Sequence, residues 1–352
     1  MRKMIVAAAA VLFFVGNAGI AFAQQKPVRS PRTNPPAAQQ KTPLKQAPTL
    51  HVNVRLVHLV AAVMDRRNKF VTNLNRSDFK VFEDGRQQPI TQFSRQADLP
   101  LRIGMLLDTS NSIRERLHFE KDAAIDFLYN VIRRNKDQAF AMTFDNEPEV
   151  IQDYTDDVGQ LSSVIQKQNS GGGTALNDAI YAASQKLMTA PPATGTNPDI
   201  RRVLVLISDG DDNLSDHTLT DAIQMADRAG VSIYAISTNN DWVTLDTPTP
   251  EKLHKSEGDK VLEELSDETG GRVFFPYRVD DLAQSFLDIG NELRSQYLIG
   301  YALPNPDANG EFHRVDLRVD RKGLTVRSRK GYFATAPVTS PAPAPAGNSP
   351  QH

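Results

Sequence analysis

Five residues stand out by type and spacing: Asp108, Ser110 and Ser112 in the run DTSNS, Thr174 in GGGTA, and Asp209 in ISDGDD. All offer hard oxygen ligands, and neither His nor Cys accompanies them. Such a donor set favours Mg²⁺, Mn²⁺ or Ca²⁺ over zinc or copper. Neutral hydroxyls offset little of a cation's charge, so a cation held largely by Ser and Thr stays attractive to an external anion. A carboxylate from a partner can fill an open coordination position by a short, charge-assisted contact.

The elements that must position these residues are legible nearby. Asp108 follows RIGMLL and Asp209 follows RRVLVLIS, two apolar runs that read as buried strands. In an open parallel sheet, ligands bind beyond the carboxyl ends of the strands, where the strand order reverses. The two strands are therefore expected to be neighbours at that point. Ser110 and Ser112 fall in the turn leading to the first helix, where alternate side chains can face one spot. Glycines 171 to 173 let the backbone pack closely and present Thr174 from a third loop.

Competing readings of the same residues are weaker. D-x-S-x-S alone is commonly a turn and helix N-cap. GGGTALND lacks the Lys that a phosphate loop requires. Asp209, Asp211 and Asn213 have the first spacings of an EF-hand, but Leu214 replaces its Gly and Thr220 its bidentate Glu. The seven histidines form no H-E-x-x-H, and no G-x-S-x-G occurs. His217 reads as a loop or helix-start residue rather than a general base. Asp211 and Asp212 read as solvated loop residues, with support of the metal ligands as the alternative. Trp242, the only tryptophan, lies in a long loop after a strand, so it is expected on the face of the site. Trp242 and Asp211 are the candidate partner contacts.

The 352-residue chain is 40% hydrophobic and 23% charged, which is ordinary globular composition. Its formal charge of -2 gives no electrostatic reason to expect nucleic acid. Without cysteine the core must hold unaided by disulfides, and thiol chemistry is excluded. Residues 1–23 read as a signal peptide: Arg2 and Lys3, an apolar run, then Ala21-Phe22-Ala23 as the cleavage site. Gly16 and Asn17 interrupt the run and argue against an uncleaved anchor. No later segment is long and apolar enough to cross a bilayer, so an exported protein, periplasmic or secreted, is expected. Residues 24–49 form a Pro-rich basic linker, and 336–352 a Pro/Ala tail; both compositions predict disorder.

Between these lie three parts. Residues 50–97 alternate apolar and polar and read as a β segment, with Glu83-Asp84-Gly85 turning FKVF back onto PITQF. Residues 98–296 alternate strands and helices. Helices are expected over 113–132, 176–187, 218–229, 258–269 and 280–294. Residues 297–335 return to β. The fold class is α/β, a doubly wound and mostly parallel sheet inserted in a small all-β unit formed by both flanks.

The series D-x-S-x-S, Thr, Asp, met at Asp108, Ser110, Ser112, Thr174 and Asp209, resembles the von Willebrand factor A domain (integrin I-like) with its metal-ion-dependent adhesion site. The resemblance covers roughly residues 101–294. The flanks DFKVFEDG and QYLIGY…RKGYF are similar to an exported bacterial "VWFA-related" family of acidobacteria, whose function is not established. The resemblance implies a Rossmann-like domain holding Mg²⁺, with Mn²⁺ or Ca²⁺ as alternatives. It implies direct contacts from the two Ser and the Thr, with the Asp residues often acting through water. It further implies a protein partner presenting Asp or Glu. The expected function is an exported, non-catalytic binding module for adhesion or scaffolding. The alternatives are an envelope protein with a stabilising metal, or a metal-dependent hydrolase, for which no base or nucleophile is evident.

Overall fold

The computed structural model describes residues 54–95, 99–193, 200–239, 255–304 and 310–334. The expected signal peptide, linker and tail, and Trp242 with most of its loop, lie outside these residues. Apolar alternation sets β1 (Val54–Asp65), with Val57, Leu59, Ala61 and Val63 buried. Next come β2 (Phe79–Glu83) and β3 (Arg86–Gln88), paired around Asp84 and Gly85. Both turn residues have left-handed φ, 48° and 80°, as a tight two-residue hairpin demands. The sequence pattern makes PITQF the return strand; in the structure that place is taken by Arg86–Gln88. Pro89 lacks an N–H and ends the ladder there. The following β4 (Ile90–Ser94) joins a different sheet.

The α/β part then runs through β5 (Leu101–Asp108), α1 (Leu117–Val131), β6 (Gln138–Phe144), β7 (Pro148–Thr155), α2 (Val158–Gln166), α3 (Leu176–Met188), β8 (Arg201–Ser208), α4 (Leu219–Ala229), β9 (Val231–Ser237), α5 (Glu257–Thr269), β10 (Arg272–Phe274) and α6 (Val279–Arg294). The strand order is β10-β9-β8-β5-β6-β7, all parallel except β7. Strands covered on both faces read as continuous apolar runs, and every residue of β5 is buried. Ile103, Met105, Leu107, Val205 and Ile207 pack with α1, α2 and α6 on one face. Leu106, Leu204 and Leu206 pack with α3, α4 and α5 on the other.

Two helix assignments differ from the sequence expectation. Helix α1 begins at Leu117, preceded by a 3-10 turn at Asn111–Ile113. Helix α2 is not anticipated by the sequence pattern, because Gly159 and two serines dilute it. It forms because Asp157 caps the amide of Gly159, at 2.9 Å, and because Leu161 and Ile165, one turn apart, are both fully buried.

The chain returns as β11 (Tyr297–Pro304), β12 (Phe312–Val319), β13 (Leu324–Arg327) and β14 (Gly331–Phe333). The two flanks build a pair of four-stranded sheets, β13-β1-β11-β4 and β14-β12-β2-β3. These share one core that includes Leu59, Val63, Phe79, Val81, Ile299 and Leu317. Tyr297 opens β11 inside this core. Its hydroxyl accepts from the Leu74 amide at 3.0 Å and donates to the Val71 carbonyl at 2.7 Å. The α/β part is joined at the end of α6. There Glu292 accepts from the Tyr234 hydroxyl at 2.8 Å and pairs with Arg327 of β13. Arg201, at the start of β8, donates to the Leu293 carbonyl at 2.8 Å. These bonds offset part of the cost of burying the polar groups, though Glu292 Oε2 and Arg201 Nε find no partner among the described residues.

Tyr297→Phe leaves the Leu74 amide and Val71 carbonyl without their partner. It should lower stability by about 1–3 kcal/mol in chemical denaturation, with little change in secondary structure by circular dichroism.

Candidate metal centre

Strands β5 and β8 are parallel neighbours in register, with Leu107 opposite Ile207. Asp108, the last residue of β5, and Asp209, just past β8, therefore emerge at adjoining strand ends. Strand β6 lies on the other side of β5, so the strand order reverses here. Asp108 is fully buried and Asp209 is 5% exposed. One Asp108 oxygen accepts from the Ser110 amide at 2.9 Å, the other from the Ser208 hydroxyl at 2.8 Å. The Ser110 and Ser112 hydroxyls lie 2.9 Å apart, Ser110 buried and Ser112 exposed. Asp209 accepts from the Asp211 amide at 3.1 Å.

Thr174 comes from a third loop that is stitched to the other two. The Gly171 amide donates to the Thr109 carbonyl at 2.7 Å, and the Asn111 side-chain amide to the Gly172 carbonyl at 3.0 Å. The Thr174 amide donates to Asn213 Oδ1 at 3.0 Å, and its carbonyl accepts from the Asn213 amide at the same distance. The glycines have specific reasons. Gly172 has φ of +75°, and a Cβ on Gly173 would lie 2.5 Å from the Leu214 side chain. Thr174 itself is 4% exposed. The structure thus brings all five sequence-chosen residues onto three mutually bonded loops at one end of the sheet.

The remaining acids near Asp209 have backbone work. Asp212 accepts from the Asn177 amide at 2.8 Å and the Ser215 amide at 3.1 Å, capping α3 from outside the helix. Asp211 is exposed. His217 bonds Asp178 at 2.6 Å and stacks on Tyr181, which holds the loop onto α3. Several supporting residues are not evident from sequence. Ser208 bonds Asp108, and Asn239 donates to the Asp209 carbonyl at 2.6 Å. A polar residue closing an apolar strand is the available signal for Ser208. Glu83, Asp84 and His313 form a separate acidic–histidine group in the β unit. His313 bonds Asp84 at 2.8 Å and the Tyr332 hydroxyl donates to Glu83 at 3.1 Å, so protein groups already engage it.

Burial pushes the Asp108 carboxyl up to about 6, and the neighbouring Asp209 charge acts in the same direction, while hydrogen bonds from Ser110 and Ser208 partly oppose it. The partners of Asp108 are an amide and a hydroxyl, not a base. Two buried carboxylates whose hydrogen bonds among the described residues come from neutral donors form an anionic pocket, and such charge is costly unless a cation or proton joins it. Two carboxylates and three hydroxyls are the oxygen donors that a hard divalent cation takes. The residues present fit such a cation.

An open α/β domain with an acidic hydroxyl-lined centre at its switch point is a class of ligand-binding domain. The sequence profile of the von Willebrand factor type A domain matches residues 103–289, more than half of the chain. The chain belongs to that family. No curated protein matches it at a significant level. Among solved structures, a von Willebrand factor type A protein from Catenulispora acidiphila is similar at 14% identity, covering 81% of this chain and 74% of that one, with a TM-score of 0.43. An aerotolerance-related membrane protein from Bacteroides fragilis is similar at 18% identity, covering 55% and 98%, with a TM-score of 0.42. The vWF domain of the type V pili tip protein Mfa5 from Porphyromonas gingivalis is similar at 14%, covering 55% and 94%, also at 0.42. Likeness at this level transfers no function.

Asp108 has a pH consequence for the cation-free protein. Its folded value is raised above 3.8, so between about pH 4 and pH 6 the folded state holds a proton that the unfolded state has released. Stability should therefore fall as pH rises through that window and level off above it. The loss is about 3 kcal/mol at most, since each tenfold difference in proton affinity between the two states is worth roughly 1.4 kcal/mol. Urea denaturation in EDTA across pH 4–7 should show this fall in the wild type relative to Asp108→Asn, which lacks the titrating group.

Proposed function

We propose that this protein is a non-catalytic binding module, adhesive or scaffolding, that captures an acidic residue of a partner protein through a divalent cation. Asp108, Ser110, Ser112, Thr174 and Asp209 would hold the cation, Mg²⁺ first, with Mn²⁺ or Ca²⁺ as alternatives. The observation that carries this reading is the pair of buried carboxylates at adjoining strand ends, whose hydrogen bonds among the described residues come from hydroxyls and amides. The cation, when bound, supplies a positive centre for an incoming carboxylate. The chain supplies the rest. Buried Asp108 and Asp209 anchor the charge from below, while Ser112 lies exposed at the rim. The bonds among the three loops keep the donors from spreading, so little ordering is needed on binding.

His217, the histidine nearest in sequence, bonds Asp178 through Nδ1 and stacks on Tyr181, which fastens its loop to α3. The signal-like start, Arg2 through Ala23, supports export, to the periplasm or the medium. Asp211, exposed beside Asp209, and Trp242 remain the proposed partner contacts.

Added Mg²⁺ should raise the melting temperature of the purified protein. The gain corresponds to about 2.7 kcal/mol at a hundredfold excess over Kd. Peptides displaying Asp or Glu should bind in Mg²⁺ and be released by EDTA, whereas their Asn and Gln counterparts should not bind. Asp209→Ala should abolish both effects. Stabilisation by Mg²⁺ without carboxylate binding would favour a purely structural metal. Absence of any Mg²⁺ effect would remove the cation from the reading.

A further inference from the structure

Glu120 is the one acidic residue on the core-facing stripe of α1. The buried positions of that helix include Glu120, Ala123, Ala124, Phe127, Leu128 and Val131, at the spacing of a single apolar face. Ala123 onward packs with Leu107, Ile207 and Ile236. Glu120 occupies the amino-terminal end of this stripe, and its side chain has no solvent exposure. The helix follows β5 directly and runs back along the parallel strands, so its amino end lies at their carboxyl ends, where Asp108 and Asp209 sit.

Neither carboxylate oxygen of Glu120 has a hydrogen-bond partner among the described residues. Burial strongly disfavours its charge, the fields of Asp108 and Asp209 add to this, and Arg116 opposes it. A proton alone does not resolve the situation, because a neutral carboxyl group would bury an unpartnered O–H and an unpartnered carbonyl. A second orphan lies at the same end of the sheet. Thr238, just past the end of β9, is fully buried, and its hydroxyl has no partner among the described residues. Its amide bonds the Ser208 carbonyl at 3.0 Å, beside Asp209. Unsatisfied buried polar groups of this kind call for a bridging water or ion.

We propose that Glu120 is a further carboxylate of the cation site, which acts by accepting a hydrogen bond from a cation-bound water rather than by direct ligation. The inference rests on the cation reading given above. Three carboxylates then share one divalent charge, and the orphan oxygens of Glu120 gain the donor they lack. Glu120 is a positioning residue: it orients water on the interior side of the cation and ties that water to α1.

The experiment compares wild type, Glu120→Gln and Asp209→Ala by calorimetric Mn²⁺ titration, together with melting temperature in EDTA. Glu120→Gln keeps the shape and removes the charge. It should weaken Mn²⁺ binding 10–100-fold, as loss of a group that orients a ligand commonly does, with the cation-free melting temperature unchanged or raised. A merely structural role gives the reverse pattern, lower melting in EDTA and unaltered affinity, and would overturn the proposal. If Asp209→Ala loses Mn²⁺ while Glu120→Gln retains wild-type affinity, this inference falls and the cation reading stands. If wild type binds no Mn²⁺, both fall. Should Glu120→Gln not fold, a crystal structure of the wild type with Mn²⁺ decides. A Mn²⁺-bound water on Glu120 is the expected result, and its absence refutes the proposal.

Discussion

The constraint on which the rest of this structure depends is the burial of two like charges, Asp108 and Asp209, at the ends of neighbouring parallel strands. A central parallel sheet must be covered on both faces, so the ends of β5 and β8 are dry as well as adjacent. Burial there strips water from the charged form, which is the main reason the Asp108 carboxyl is held high, with the nearby Asp209 charge adding to it. The loops answer the same constraint. Ser208, Ser110 and the amide of Asp211 each direct a dipole at a carboxylate oxygen. The glycine loop closes over them through Thr109 and Asn111, where side chains at Gly172 and Gly173 would strain or clash.

The insertion of the α/β part into the β unit places that centre at the far end of the sheet from the junction. Arg201 begins β8 and bonds the end of α6, while Asp209 follows the other end of the same strand. Eight residues of strand span about 26 Å at the usual rise. Glu292, Tyr234, Gln296 and Arg327 fill the junction with a buried polar network. The two flanks are thus fastened where the strands start. The β unit in turn is held by chain-distant contacts such as Tyr297 to Val71 and Leu74, so neither flank completes a core alone.

Much of this is legible in the sequence because strand ends and oxygen-bearing turns are local features. RIGMLL and RRVLVLIS end in acids, and the structure places those acids side by side. Other features depend on contacts no local pattern records. PITQF has strand character, but Pro89 and the pairing of β4 with β11 send it to the other sheet. Helix α2 carries only two fully buried apolar residues, so its periodicity is faint. Glu120 sits within HFEKD, a polar stretch inside the helix expected over 113–132, and only the packing of α1 against the strand ends makes it a core residue. Asp211 and Asp212 read as solvated loop residues, with support of the metal ligands as the alternative, yet Asp212 is engaged by amides of α3 and of its own loop.

The distribution of charge across the centre bears on how an anion would approach it. Asp108, Asp209 and Glu120 are all at or near zero exposure, whereas Ser112 is exposed. Ser110 and Thr174 are buried as deeply as the acids, so the exposed donor of the centre is the neutral hydroxyl of Ser112. Under the proposed reading, a cation drawn down by the buried acids keeps an outward face bounded by uncharged oxygen, and a partner carboxylate meets no like charge over Ser112. Asp211, exposed beside Asp209, sets the opposite bias on its own side. The centre is then polarised laterally as well as in depth, and the favoured approach runs over the DTSNS loop rather than over DGDDN. Under the same reading, acids placed at the rim would bind the cation and repel the ligand, so their burial, costly in itself, would separate a docking site from a metal store.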